Sequence, residues 1–333
     1  MRAMKVVQLV ARVLTCIAAF VCASWALSAL YFDFPIITLR APAAVVFGLV
    51  LISALIWLPG RVLKLAAVLG GFALVLCWWL TLKPTNDRPW QPDVAQLAWA
   101  EIDGDEVKVH NVRNCDYRTE TDFTPRWETR TVRLSQITGI DLAITYWGSP
   151  WIAHPIVSFR FADALPLCFS IETRKAIGQS YSALRGLYRQ YTLVYVVADE
   201  RDSIRVRSNY RHGEDVYLYR TLVLPEHARI RFLEYINTIN TLRNHPRWYN
   251  ALTDNCTTNI RTQRSIDKRV PWDWRMLLNG KGDEMLYERH AIATGGLPFA
   301  ELKQRSLINQ RARAADQDPD FSRRIREGLP HGN

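Results

Sequence analysis

The sequence predicts an α+β protein carried on three N-terminal transmembrane helices, with an antiparallel sheet packed on helices in the part that follows. Three observations predict this. Residues 13–30, 41–58 and 65–82 are uncharged apolar runs; residues 98–223 carry mainly the alternation of β-strands; after Leu224 the apolar period lengthens to that of a helix.

Each apolar run holds about 18 residues, roughly what a hydrocarbon core of about 30 Å requires. Only Thr15, Ser24 and Ser28 interrupt the first, and only Ser53 the second; the third carries Trp78 and Trp79 near its end, where an interfacial aromatic belt sits. Arg2, Lys5 and Arg12 would also suit the basic flank of a signal peptide, but the run is long for one and two more spans follow. Core helices of soluble proteins rarely lack charge for so long.

Basic residues set the expected orientation. Arg2, Lys5 and Arg12 precede the first span, and Arg61 and Lys64 fill the turn between the second and third, so both sides are expected in the cytoplasm. The first loop sets Asp33 against Arg40 and is the external side. Everything after Leu82 is then expected outside the cytoplasm, anchored in the membrane. The domains expected are 1–82 in the membrane, a Pro-rich linker at 83–96, and a folded domain at 97–333.

The net charge of +10 divides unevenly, because residues 1–82 hold six Lys or Arg and one Asp, leaving +5 outside. Arg323, Arg324 and Arg326 read as a solvated basic face, with an anionic lipid surface as the alternative. There is no nucleic-acid motif; the partners expected are inner-membrane lipids. Three cysteines lie in the spans (Cys16, Cys22, Cys77) and three outside (Cys115, Cys168, Cys256). No two have CxxC spacing, so a structural zinc site is not expected; no other metal and no cofactor is expected either.

In the external part, residues 106–112, 157–161 and 167–173 alternate, with Ser170 and Glu172 on one face and a hairpin turn at Ala162-Asp163-Ala164. Residues 191–197 read as a strand buried on both faces, and 216–219 as another. Pro225 opens a helix with Ile230, Leu233, Ile236, Asn237 and Asn240 on one face, ending at Asn244-His245-Pro246. A second helix is expected from 254–256 to about Ser265, and the charged tail after Gly295 is partly helical.

The sharpest local signal is Asp254-Asn255-Cys256-Thr257 at the start of that second helix. Asp254 or Asn255 would cap it and leave Cys256 in the first turn, where free amides and the helix dipole favour a thiolate and can hold an oxyanion. A nucleophilic thiol needs a base. Of the histidines at 110, 154, 212, 227, 245, 290 and 331, His154 is best placed: it stands among apolar residues at the opening of a strand. A histidine in that setting is more often a structural residue. His212 and His245 read as loop residues.

Trp147-Gly-Ser-Pro-Trp-Ile-Ala-His154-Pro-Ile-Val-Ser-Phe, Ser170-Ile-Glu-Thr-Arg-Lys175, Val196-Val-Ala-Asp-Glu-Arg-Asp202, Glu214-Asp-Val-Tyr-Leu-Tyr219 and Asn255-Cys-Thr-Thr258 together resemble the Lnb N-terminal periplasmic domain family, also called DUF4105. The resemblance covers roughly residues 95–330. That family is similar in turn to circularly permuted papain-like (NlpC/P60-type) thiol enzymes, in which the histidine strand precedes the cysteine helix. The resemblance implies that Cys256 is the nucleophile and His154 its base, with Glu172 or Ser170 orienting the ring and Asn255 and Thr257 beside the substrate or oxyanion.

The family includes a lipoprotein N-acyltransferase, which moves an acyl chain from a phospholipid to a lipoprotein's N-terminal amine. Pro155 after the histidine, and three N-terminal spans in place of that enzyme's C-terminal membrane region, are departures, so the reaction class transfers better than the substrate. The function implied is a thiol-dependent acyltransferase or hydrolase acting on lipoprotein or phospholipid acyl groups. The alternatives are a peptidase or amidase acting on peptidoglycan, and a non-catalytic envelope binding protein. Arg174, Lys175, Asp199 and Glu200 also match the blocks but read as salt-bridged strand ends, and Tyr217 and Tyr219 as sheet packing. With Cys256 as nucleophile, Cys115 and Cys168 are the only pair left for a disulfide, which needs Cα atoms within about 7 Å.

Overall fold

A computed structural model describes residues 2–254, 258–260, 272–276 and 279–330. The chain divides into two compact units: Met1–Pro84 with Ser182–Tyr191, and Thr85–Tyr181 with Thr192–Asn333.

The first unit is built on helices α1 (Arg2–Asp33), α2 (Arg40–Trp57) and α3 (Gly60–Thr81), all long and apolar enough to cross a membrane. Few of their side chains are buried, because lipid replaces a protein core. One buried cluster includes the end of α1 and reaches Val75 on α3. Ala26 and Ala29 are fully buried, and their small side chains admit Tyr188 of the 182–191 segment alongside Trp25, Phe32 and Trp79. Asp33 closes α1 there and is itself buried. Its carboxylate accepts from Trp79 Nε1 at 2.6 Å, the Arg189 amide at 3.1 Å and Gln190 Nε2 at 2.6 Å. Three donors and the Arg189 guanidinium stacked on Trp79 offset what burying that carboxylate costs.

The second unit is a sheet with helices on it. In spatial order its path runs β1 (Trp99–Asp103), β2 (Glu106–Arg113), β9 (Thr192–Asp199), β8 (Leu167–Arg174), β7 (Ala153–Phe161), β6 (Ile137–Trp147) and β10 (Glu214–Arg220). A further strand, β5 (Trp127–Arg133), pairs with β2, while β3 (Asp116–Tyr117) and β4 (Phe123–Thr124) form a separate ribbon. All pairings in the main sheet are antiparallel except β2 with β9. Every residue of β9 is buried, as its unbroken β-branched and aromatic run predicts.

The one-turn α4 (Glu200–Ser203) follows β9, and one face of the sheet packs on α5 (Pro225–Asn244) through Phe159, Phe169, Phe232 and Tyr235, whose rings meet edge to face. The buried stripe of α5 is Ala228, Phe232, Tyr235, Ile236, Ile239 and Leu242. The stripe read from sequence was rotated from this one: Ile230 is exposed, because the aromatic pair at 232 and 235 has more apolar area to bury than Ile230 and Leu233. Asn240 stands at the flank, where its amide exchanges two 2.8 Å hydrogen bonds with the backbone of Ala100.

The other face buries Ile156, Cys168, Val216 and Leu218 against Ile204, just after β9, and against Ile308, Ala312, Phe321 and Ile325 of the tail. The segment expected as a linker is partly packed: Val94 is buried, and Arg174 lies over Trp90 while donating to the carbonyls of Val94 and Ala95.

Candidate active site

The β7–β8 ladder begins at Ile156↔Ser170. Pro155 lies just past it, so its missing N–H costs the β8 side no bond, and the same register carried on sets His154 opposite Glu172. A strand's period of two then puts His154, Ser170 and Glu172 on one face. The structure brings all three together.

Nε2 of His154 is 2.7 Å from Ser170 Oγ, and that hydroxyl donates to Glu172 Oε1 at 2.6 Å. A serine hydroxyl has one proton to give. With that proton on the carboxylate, Oγ can only accept from the ring, so Nε2 carries the hydrogen and Nδ1 keeps the lone pair. The chain of hydrogen bonds therefore chooses the basic nitrogen of His154.

Electrostatics fixes the charge at each end. Burial opposes ionisation of Glu172, but Arg207, the His154 ring and Arg113 act together with the Ser170 hydroxyl to hold the carboxyl well below the usual carboxylate range. For His154, burial and then the Arg207 guanidinium push the imidazole down to about 3, against the opposing pull of Glu172. The ring is neutral at neutral pH. Its surroundings disfavour a positive charge on the ring.

Arg207 is the residue that sequence reasoning missed. It lies on the wide turn Val206–Tyr210, is buried, and donates to Glu172 Oε1 at 3.1 Å and to Glu214 Oε2 at 3.4 Å. Behind it Arg113 grips Asp202 through Nε and Nη2, at 3.0 and 2.7 Å. The signal available was an excess of arginines (201, 205, 207 and 211) just after a strand predicted to be fully buried. Spacing alone does not say which of them turns inward.

Cys256, Asn255 and Thr257 lie outside the described residues. The chain on either side is described. Trp248 bridges to Thr192 at the start of β9, and the Leu193 amide donates to Arg247 O at 2.8 Å, which ties the approach to this segment to β9 two residues from Val194, the partner of Glu172. Residues 258–260 are helical, with Thr258 and Asn259 buried. The loop before His154 is held as well. Asn279 Oδ1 accepts from the Ala153 amide at 2.8 Å, and the Gly280 amide donates to Trp151 O at 3.0 Å.

Several other expectations resolve here. Cys115 and Cys168 are not bridged; both thiols are free and buried in separate apolar clusters, Cys168 with Ile156 and Ile204, Cys115 with Tyr117 and Val206. Burial pushes the Cys115 thiol up to about 12, beside the Asp202 carboxylate. Arg326 is not part of a solvated basic face: its guanidinium is buried between Asp141 and Glu200. Arg323 and Arg324 do sit at the surface, paired with Asp320 and Glu327. Asp199 pairs with Arg130 and caps the turn after β9, and Glu200 accepts from Ser158 and Arg326, so these two are structural ion pairs. Tyr219 is buried against Asp283, and Tyr217 packs edge-on to Tyr146.

Residues 123–280 match the sequence profile of the Lnb N-terminal periplasmic domain, a stretch that contains His154, Ser170, Glu172 and Cys256. The family resemblance carried by the five sequence blocks, all of which lie within this stretch, is thereby borne out. No curated protein and no solved structure matches the chain.

Proposed function

We propose that this is a membrane-anchored periplasmic thiol enzyme, an acyltransferase or hydrolase of the papain-like kind, in which Cys256 is the nucleophile and His154 its base. The observation that carries the reading is the hydrogen-bond chain from His154 through Ser170 to Glu172, which leaves Nδ1 as a neutral base at physiological pH. A chain that sets one tautomer is what general-base catalysis needs and what a merely structural histidine does not.

In this mechanism Nδ1 takes the Cys256 thiol proton, and the sulfur attacks an ester or amide carbonyl. The oxyanion rests on backbone amides near Asn255 and Thr257. Collapse expels the alcohol or amine with the proton from the imidazolium, leaving a thioester. An amine or water then attacks, giving its proton to Nδ1, and the thiol is regenerated. Three apolar helices suit a substrate drawn from the inner membrane, such as a phospholipid or lipoprotein acyl group, with the N-terminus in the cytoplasm and the second unit in the periplasm.

Intact-mass analysis of the protein purified from membranes tests this directly. A hydroxylamine-labile acyl mass that vanishes in Cys256→Ser supports acyl transfer. Cleavage of peptidoglycan fragments dependent on Cys256, with no such mass, moves the assignment to a cell-wall peptidase or amidase. Neither activity in the presence of wild-type protein would leave an envelope binding protein.

A further inference from the structure

We propose that Arg207 is a positioning residue of this site: paired with Glu172, it keeps that carboxylate an acceptor and so determines which nitrogen of His154 bears the proton. The inference rests on the reading above for its catalytic meaning, but its physical content is separate.

The argument follows from the direction of three hydrogen bonds. Glu172 is on the face of β8 turned to a buried layer, and its Oε1 receives both Arg207 Nη2, at 3.1 Å, and Ser170 Oγ, at 2.6 Å. Arg207 is anchored on its other side by Glu214 Oε2, at 3.4 Å, and Glu214 is held in turn by Arg211 Nη1, at 3.1 Å. Among the described residues, the charged groups around the site are Arg113 on β2 with its partner Asp202, Glu172 on β8, Arg207 and Arg211 on and after the turn with Glu120 beside Arg211, and Glu214 on β10.

Without the Arg207 cation, the mostly buried Glu172 carboxylate has no guanidinium on its oxygen, keeps only the weaker pull of Arg113 and Arg211 beside that of the ring, and takes up a proton from solvent more readily. A protonated Glu172 becomes a donor to Ser170 Oγ. The serine hydroxyl then turns to donate to His154 Nε2, which must shed its hydrogen to accept. The imidazole stays neutral, its N–H moves to Nδ1, and the nitrogen that should take the thiol proton is blocked. One guanidinium thereby sets the polarity of a chain whose far end it does not touch.

The test is the tautomer of His154, read from ¹⁵N imidazole shifts of the full chain in detergent, with His154→Gln to assign the signals. Wild type at neutral pH should show Nε2–H and an unprotonated Nδ1. In Arg207→Gln the populations should invert to Nδ1–H, and Arg207→Lys, which retains a cation, should restore the wild-type pattern. Should Arg207→Gln fail to fold, Arg207→Met combined with Glu214→Gln removes the cation together with the carboxylate it would strand, and the same inversion is expected. An unchanged Nε2–H tautomer in a folded variant lacking the cation overturns the proposal and leaves Arg207 a structural ion pair. Because the readout is the ring and not turnover, failure of the Cys256 mechanism does not mimic that result: Cys256→Ser should leave the tautomer as in wild type.

Discussion

His154 Nε2 and Glu172 Oε1 stand 3.8 Å apart, too far for a good hydrogen bond and close enough for one hydroxyl to span the gap. Ser170 is that hydroxyl. Ser170→Ala should therefore act on both neighbours at once. It should cost about 1–3 kcal/mol in stability by leaving two buried polar atoms without their link, and lower Cys256-dependent turnover by roughly 10²-fold. Equilibrium urea unfolding and steady-state kinetics measure the two; a variant as active and as stable as wild type would show that the relay is dispensable.

Acid should destabilise the fold through His154 earlier than through its carboxylates. The imidazole is depressed from 6.5 to about 3, so the unfolded chain binds the proton first and stability rises with pH across that interval. The contribution is complete above about pH 6.5 and is lost as pH falls toward 3. His154→Gln should flatten the dependence between pH 6.5 and 4.5, a range above the ordinary titration of Glu172. Denaturation midpoints measured across pH for both proteins give the comparison.

Gly280 is required by a close approach. A Cβ there would overlap the backbone of Pro150, Trp151 and Ile152, which is not a flexible side chain that can swing aside. Gly280→Ala should push the loop off and displace the start of β7, with a loss of about 1–3 kcal/mol typical of overpacking. The reporter is the His154 imidazole resonance, which should move in Gly280→Ala and stay in place in Gly282→Ala, where a Cβ meets nothing.

Asp33→Ala should release the 182–191 segment from the helices of its own unit, because the carboxylate gathers Trp79, Arg189 and Gln190. Limited trypsin digestion in detergent should then cut faster at Arg189, whose amide is bonded to Asp33 in wild type. Equal digestion of the two proteins would mean that the aromatic contacts of Tyr188 suffice.

Arg326→Ala should be the most destabilising of the tail substitutions. It strips two buried carboxylates, Asp141 and Glu200, of a shared partner and should cost about 3–5 kcal/mol. Arg323→Ala, at an exposed pair, should cost under about 1 kcal/mol.

What sequence made legible depended on range. The three spans, the strand that opens at His154, the hairpin at 162–164 and the fully buried β9 each follow from a local period, which one sequence displays directly. Ser170 and Glu172 were placed on one face for the same reason. The stripe on α5 was misjudged because periodicity finds a helix but does not weigh a phenylalanine and a tyrosine against two aliphatic residues. The partners of Arg207 and Arg326 were out of reach altogether: they join residues 35 and 126 or 185 positions apart, and only the closed sheet makes them neighbours. Cys115 and Cys168 show the converse, since elimination suggested a bridge that packing does not make.

The ten residues Ser182–Tyr191 belong to the membrane unit although they arise from the middle of the second, between β8 and β9. Cutting the helices away to obtain a water-soluble protein from Thr85 onward would therefore not follow a natural seam. It would strand Leu187 and Tyr188 in water without the alanines and aromatic rings they pack on, and leave Gln190 without Asp33. Such a fragment invites aggregation through that loop. Replacing 182–191 with a short polar turn joining β8 to β9 is the change that should make the soluble unit tractable without its anchor.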